Sequence, residues 1–249
     1  MERFSSLILS LILTFGQQGG PTVPGRTGAV GSGGGGGTAP TIVSSCSGGA
    51  FSFSSPFSIT LCSVSVNDIV VFEASSLSNG ATETVTVTGT CVGATTVIDA
   101  GPVNQGVVAE TAIMGHIVIT TGGSCSAQLA YTGTGNGNLS VLVVRGSSGL
   151  DVASAINNQG GTGAGANAIT TASSISLSHN DLCVAGTVDG NYDGGTLTAG
   201  TTLAWTLLAS DPTAPNGIEY FTQNGGTLVA TFGISNTAYS QTAVSCYKP

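Results

Sequence analysis

The chain has 249 residues, 41% of them hydrophobic and only 6% charged, with a formal net charge of −8. An ordinary globular chain is about one quarter charged, so hydroxyls, amides and backbone must solvate this surface instead of ions. Nucleic acid and anionic membrane surfaces call for clustered Lys and Arg, whereas Arg3, Arg26, Arg145 and Lys248 are scattered, so neither is expected as a partner.

Residues 1–16, MERFSSLILSLILTFG, pair a short charged start with an apolar run over residues 7–15. That run is too short to span a bilayer and suits a signal-peptide core, with cleavage after Gly16; the alternative is a retained apolar arm. No membrane span is expected in the mature chain. Residues 17–40 read as a Gly-rich linker. Gly recurs every third position from Gly16 to Gly37, broken at Thr22, but Pro21 and Pro24 are too few for a triple helix. A flexible tether is the expectation.

From Thr41 onward, runs rich in Thr, Val and Ser alternate with turn clusters, a composition that fits pleated sheet. Strands are expected over residues 57–62, 68–74, 83–91, 112–121, 127–132 and 139–145. The segment 147–167 is dominated by Gly and Asn and reads as a connector with one helical turn. Strands then resume over 168–178, 181–188, 203–209, 218–223, 227–232 and 242–248. The fold class expected is all-β: two tandem jelly-roll-like or Ig-like antiparallel sandwich units, over 41–146 and 168–249.

The two sets resemble each other. SVSVNDIVVFEAS (63–75) aligns with SLSHNDLCVAGTV (176–188), placing Asn67-Asp68 over Asn180-Asp181 at an offset of 113 residues. TTGGSCSAQLAYTG (120–133) aligns with TQNGGTLVATFGI (222–234), and each half ends on a strand, NLSVLVVRG and YSQTAVSCYKP. Three blocks in the same order indicate an internal duplication. In this alignment Cys183 stands where the first half has Val70, and Cys246 where it has Val144.

Six cysteines and no C-x-x-C spacing point to disulfides in an oxidising compartment instead of zinc. The duplication suggests a Cys183–Cys246 bond. Cys46–Cys62 and Cys91–Cys125 are the simplest remaining pairs among the fifteen connectivities that six cysteines allow. The N-D-hydrophobic strands Asn67-Asp68-Ile69 and Asn180-Asp181-Leu182, with the terminal Ser245-Cys246-Tyr247-Lys248-Pro249, resemble uncharacterised tandem β-sandwich proteins found in secreted bacterial and phage-associated sequence sets. The resemblance spans most of residues 57–249 and implies the tandem architecture; it implies no activity.

Catalysis needs converging ionisable groups, and few are present. His116 lies in the apolar run IMGHIVIT and reads as a strand residue near the core; His179 reads as a turn residue beside Asn180-Asp181. Asp68 and Asp181 read as Asx side chains that bond nearby backbone. There is no G-x-S-x-G elbow, and an enzyme is not expected. Asp189, Asn191 and Asp193 spell D-x-N-x-D-G with Gly194, the opening of a calcium loop. Gly200 stands where an EF-hand has its Glu, so the candidate is a structural calcium site only; no other cofactor is expected. Trp205 alternates with Leu203 and Leu207, as a core residue does. With Tyr192, Tyr220, Phe221 and Tyr239 it is also the candidate aromatic platform for a glycan.

The expected function is a non-catalytic extracellular structural or adhesive protein at the cell surface, self-associating or meeting a surface glycan or protein. The alternatives are a virion decoration or fibre protein with a retained arm, and a carbohydrate-binding module.

Overall fold

Two kinds of strand are written in this sequence, and they occupy different layers. Segments such as Ile69-Val70-Val71-Phe72 are apolar at every position, whereas segments such as Glu83-Thr84-Val85-Thr86 alternate. A strand buried on both faces needs the first pattern and a strand with one wet face needs the second. The computed structural model describes residues 37–249 apart from 79, 107, 190–194 and 212–215, with backbone alone for Thr162, Asp189, Asp211 and Ala238. The apolar segment 1–16 and linker residues 17–36 lie outside the described residues.

The first half forms β1 (Thr41–Ile42), β2 (Gly48–Ser52), β3 (Phe57–Val64), β4 (Ile69–Ser76), β5 (Glu83–Gly89), β6 (Val92–Gly93), β7 (Val97–Gln105), β8 (Glu110–Thr121), β9 (Gly123–Tyr131) and β10 (Gly137–Arg145). The second half forms β11 (Gly149–Ala153), β12 (Asn157–Thr162), β13 (Gly165–Thr170), β14 (Ile175–Asp189), β15 (Leu197–Ala199), β16 (Thr206–Asp211), β17 (Asn216–Leu228), β18 (Thr231–Ile234) and β19 (Ala238–Lys248). The protein is all-β.

These strands make four antiparallel sheets. One large sheet has the order β1-β10-β4-β8-β6, with β2 also on β10 and β7 on β8; the other runs β11-β19-β14-β17-β16, with β12 also on β19. Two outer sheets have the orders β3-β9-β5 and β13-β18-β15. The same connectivity therefore occurs twice: β10-β4-β8 corresponds to β19-β14-β17, and each outer sheet has its late strand in the middle.

Three cores separate the four sheets. The first lies between β3-β9-β5 and its large sheet and includes Val70, Phe72, Ile117, Leu129 and Val143. The third lies between the second large sheet and β13-β18-β15 and includes Cys183, Trp205, Phe232 and Cys246. The middle core joins the two large sheets, setting Ile69, Val71, Met114, Leu142 and Val144 against Leu182, Val184, Ile218, Ala243 and Tyr247. Alternation along β4 sends Val70 and Phe72 outward and Ile69 and Val71 to the middle, which is why the strand reads as a solid apolar run. On β3 and β5 every second residue faces water.

The segment expected to be a connector is sheet. β11 and β12 both pair with β19 and extend the second large sheet, and no helical turn lies there. β12, made of Asn, Gln, Gly and Thr, pairs through its backbone and leaves no apolar pattern to read, and β11 offers only Leu150 and Val152.

Disulfides join Cys46 to Cys62, Cys91 to Cys125 and Cys183 to Cys246. Cys183 and Cys246 are directly opposed on β14 and β19, with Cα atoms 4.0 Å apart, the close type of antiparallel pair. The corresponding pair on β4 and β10 is Val70 with Val143, while Val144 opposes Ile69. The sequence alignment is thus corrected by one residue. A one-residue slip along a strand changes face: Val144 belongs to the middle core and Val143 to the outer one.

Because Cys183 and Cys246 are 63 residues apart, their bond removes about 4 kcal/mol of unfolded-chain entropy in the loop-closure model. Replacing both by Val restores the first half's own apolar pair. The C183V/C246V variant is expected to fold with a loss of about 2–4 kcal/mol, read by denaturant unfolding.

Candidate functional site

Asp68 and Asp181 occupy matching places at the starts of the two apolar cores of β4 and β14, and both are buried. Their surroundings differ. Arg145, the last residue of β10, donates from Nε to Asp68 Oδ1 at 2.8 Å and from Nη2 to Oδ2 at 2.6 Å. The Ser65 amide adds a bond of 2.8 Å to Oδ2. Burial pushes the Asp68 pKa up, but the fork from Arg145 and the Ser65 amide outweigh it and hold it below the usual carboxylate value. The Asx-type backbone bond expected for Asp68 is present, alongside a bidentate ion pair.

Asp181 has a different set of neighbours. Its acidic and imidazole companions are Asp151 and His179, and the ligand atoms of the three all lie within 4.8 Å of one another. His179 Nδ1 is 3.2 Å from Asp151 Oδ2. Ser178 Oγ lies 3.0 Å from His179 Nδ1 and donates to Asp151 Oδ2 at 3.5 Å. Neither carboxylate oxygen of Asp181 has a hydrogen-bond partner. Burial first, then the charge of Asp151, raise the Asp181 pKa against the opposing pull of His179. His179, expected in a turn, lies in β14, and its amide is the nearby backbone group that approaches the Asp181 carboxyl.

Local irregularities assemble this trio. The β11–β19 register shifts between Leu150 and Val152, so Asp151 is the displaced residue. The β14–β17 register shifts between Leu177 and Asn180, which displaces Ser178 and His179. Bulges re-aim side chains and gather beside functional sites. Sequence reasoning missed Asp151 because it lies in the supposed connector. The 113-residue offset does set His179 over Val66, and that exchange of an apolar for a ligating side chain was the available signal.

His116 is on β8 with its side chain 9% exposed, as its apolar neighbours suggested. Its Nδ1 is 2.8 Å from Asp99 Oδ1 on β7, and the Tyr247 hydroxyl of β19 donates to Asp99 Oδ2 at 3.1 Å. The Tyr247 and His116 rings meet edge to face, 5.8 Å apart. Burial, then Asp99, push the Tyr247 pKa well above its ordinary value. The chain of contacts ties the first half to the second across the middle core.

Asn191 and Asp193 of the calcium-loop candidate lie outside the described residues, as does Tyr192. Asp189 ends β14, its backbone opposite Ser240. Trp205 is 5% exposed in the third core, its ring 5.6 Å from Phe221. Tyr220 packs against the middle core, and Tyr239 is partly buried. The candidate glycan platform is therefore divided between two cores, with its Trp facing inward. No protein-family model, curated protein or solved structure matches the chain.

Burial raises the pKa of several carboxyl groups. Burial raises Glu83 to about 7 despite the hydroxyl of Ser76, and raises Glu219 to about 8 against the amide of Gly200. Burial, then Glu110, push Glu73 well above its usual range. The folded protein thus binds more protons than the unfolded chain between about pH 4.5 and 8, and stability falls as pH rises through that window. Asp68 acts oppositely, its contribution being lost as pH falls below about 4. The melting temperature is expected to peak near pH 4–5 and decline toward pH 8. Calorimetry across this range checks it, with the decline shallower in a Glu83→Gln/Glu219→Gln variant.

Proposed function

We propose that this chain is an exported, non-catalytic structural or adhesive protein that acts by presenting a rigid surface outside the cell. The observation that carries the reading is the fusion of four sheets through three cores, with three disulfides fixed into the stack. Disulfides persist where thiols are not kept reduced, which fits a protein outside the cytoplasm. Among the described residues no helix is long and apolar enough to cross a membrane. The outer faces of β3, β5 and β9 present Ser, Thr and Gln, a surface suited to hydrogen-bonded contact with a glycan, a protein or a second copy. The N-terminal 16 residues act as the export signal, and the Gly-rich segment tethers the stack.

Intact mass of the chain recovered from its native source, combined with surface labelling by a membrane-impermeant amine or carboxyl reagent, tests this reading. A labelled species beginning at Gln17 is the expected result. A chain that retains Met1 and is recovered only in purified virus particles would replace the reading with a virion decoration or fibre protein. A chain that retains Met1 in the cytoplasm with reduced thiols would overturn both.

A further inference from the structure

We propose that Asp151, His179 and Asp181 form a binding site for a divalent transition-metal cation of the zinc type. The site is separate from the D-x-N-x-D-G loop, and it rests on the geometry of these three residues independently of the structural and adhesive reading.

The first argument is the state of Asp181. The residue is 0% exposed and neither carboxylate oxygen has a hydrogen-bond partner, while both it and its companions converge within 4.8 Å. A buried carboxyl without partners is costly, and buried charges are paired or coordinate metals. The first half shows what this position requires, because there the same carboxylate is met by the Arg145 fork. In the second half the residue in the place of Arg145 is Lys248, following Tyr247 opposite Leu182 as Arg145 follows Val144 opposite Ile69. Lys248 makes no ion pair with Asp181. What surrounds Asp181 is instead a second carboxylate and an imidazole, and with the imidazole neutral no cation stands between the two carboxyl groups.

The ligand types select the ion. One imidazole nitrogen with carboxylate oxygens suits zinc and its neighbours, whereas calcium takes six to eight oxygens. Zinc bonds of about 2.0–2.1 Å place tetrahedral ligand atoms about 3.3 Å apart, close to the 3.2 Å between His179 Nδ1 and Asp151 Oδ2. Ser178 Oγ, beside both atoms, or water completes four-coordination. The His179 side chain is 34% exposed, which leaves an entry path. Two register shifts on separate strands are needed to bring these groups together.

The test is isothermal titration of the untagged, oxidised, chelator-treated full chain with zinc chloride, alongside calcium chloride. The chain has 2 histidines, and His116 is held by Asp99, so the His116→Ala variant serves as the control for imidazole binding elsewhere. One zinc per chain is expected, with at least a 100-fold loss of affinity in His179→Ala and in Asp181→Asn, and with no loss in Lys248→Met. Zinc at about 100 times its Kd should raise the melting temperature by about 5–10 °C. His179→Ala changes a partly exposed side chain and keeps the test decisive where Asp181→Asn fails to fold. Failure of the wild type to take up zinc would overturn the site. So would equal zinc binding by His179→Ala, or calcium binding as strong as zinc. A loss of stability in Lys248→Met matching that of Asp181→Asn, without zinc uptake by the wild type, would assign Lys248 as the counter-charge and also overturn it.

Discussion

Burial of both faces of β4 and β14 is the constraint on which the rest of this structure depends. Each of these strands is central in its large sheet and lies between two cores, so the side chains of β4 and of β14 from Asp181 to Val188 meet protein on one side or the other. Where the two strands oppose each other the middle core admits few alternatives. A Cβ at Gly186 would overlap the Glu73 side chain, so the glycine makes room for a carboxyl whose pKa burial, then Glu110, push up. Around it the polar groups are built into short networks: Asn138 donates to Ser75, and Ser75 to Glu110. Gln241 donates to the Val103 carbonyl at 2.7 Å, bridging the halves. Buried polar groups are costly unless paired, and paired networks are specific, so these bonds fix how one large sheet lies on the other while the apolar contacts supply the driving force.

That constraint also explains what could be read in the sequence. Doubly buried strands carry apolar runs without alternation, so residues 69–72 of β4 and 141–144 of β10 stand out from composition alone. Singly buried strands announce themselves by alternation, as β3 and β5 do. β7 was missed because Asp99, Gly101, Pro102 and Asn104 interrupt any pattern, and its pairing with β8 shifts register twice. β12 was missed because it contributes backbone to an edge, and β11 because Leu150 and Val152 are its only large apolar residues and face different cores. Register was harder than identity: similarity between the halves named Val144 as the counterpart of Cys246, and only strand pairing shows that Val143 faces the same core. The layered arrangement itself was not legible, since a strand buried on both faces reads the same whether its second neighbour belongs to its own half or to the other one.

The buried carboxylates show a similar division between what residue type reveals and what only geometry reveals. Asp68 and Asp181 are the same letter in the same motif, followed in both cases by an aliphatic strand. Arg145 neutralises one of them through two nitrogen donors, and an arginine can do this because its fork is rigid and permanently charged. Lysine at the corresponding place offers a single flexible charge. The difference of one basic residue for another, which sequence comparison would score as conservative, leaves the second carboxylate beside another carboxylate and an imidazole, without a guanidinium fork.

Three departures of the second half from the first lie close together at one end of β14 and β19. Cys183 and Cys246 replace Val70 and Val143 two residues along each strand from Asp181 and Lys248 respectively, and His179 replaces Val66 two residues on the other side of Asp181. A cross-strand covalent bond this close holds the ends of β14 and β19 in register, so the displaced residues on β11 and β14 converge on a fixed carboxylate. Binding sites gain affinity when their ligands are already ordered, because the entropy of ordering is not then drawn from the binding energy. The apolar pair in the first half suffices there, since the Arg145 fork supplies its own registration between β4 and β10. In the second half the charge pair is absent and the disulfide takes over that positioning role, which is the physical reason the covalent link and the altered carboxylate site occur together.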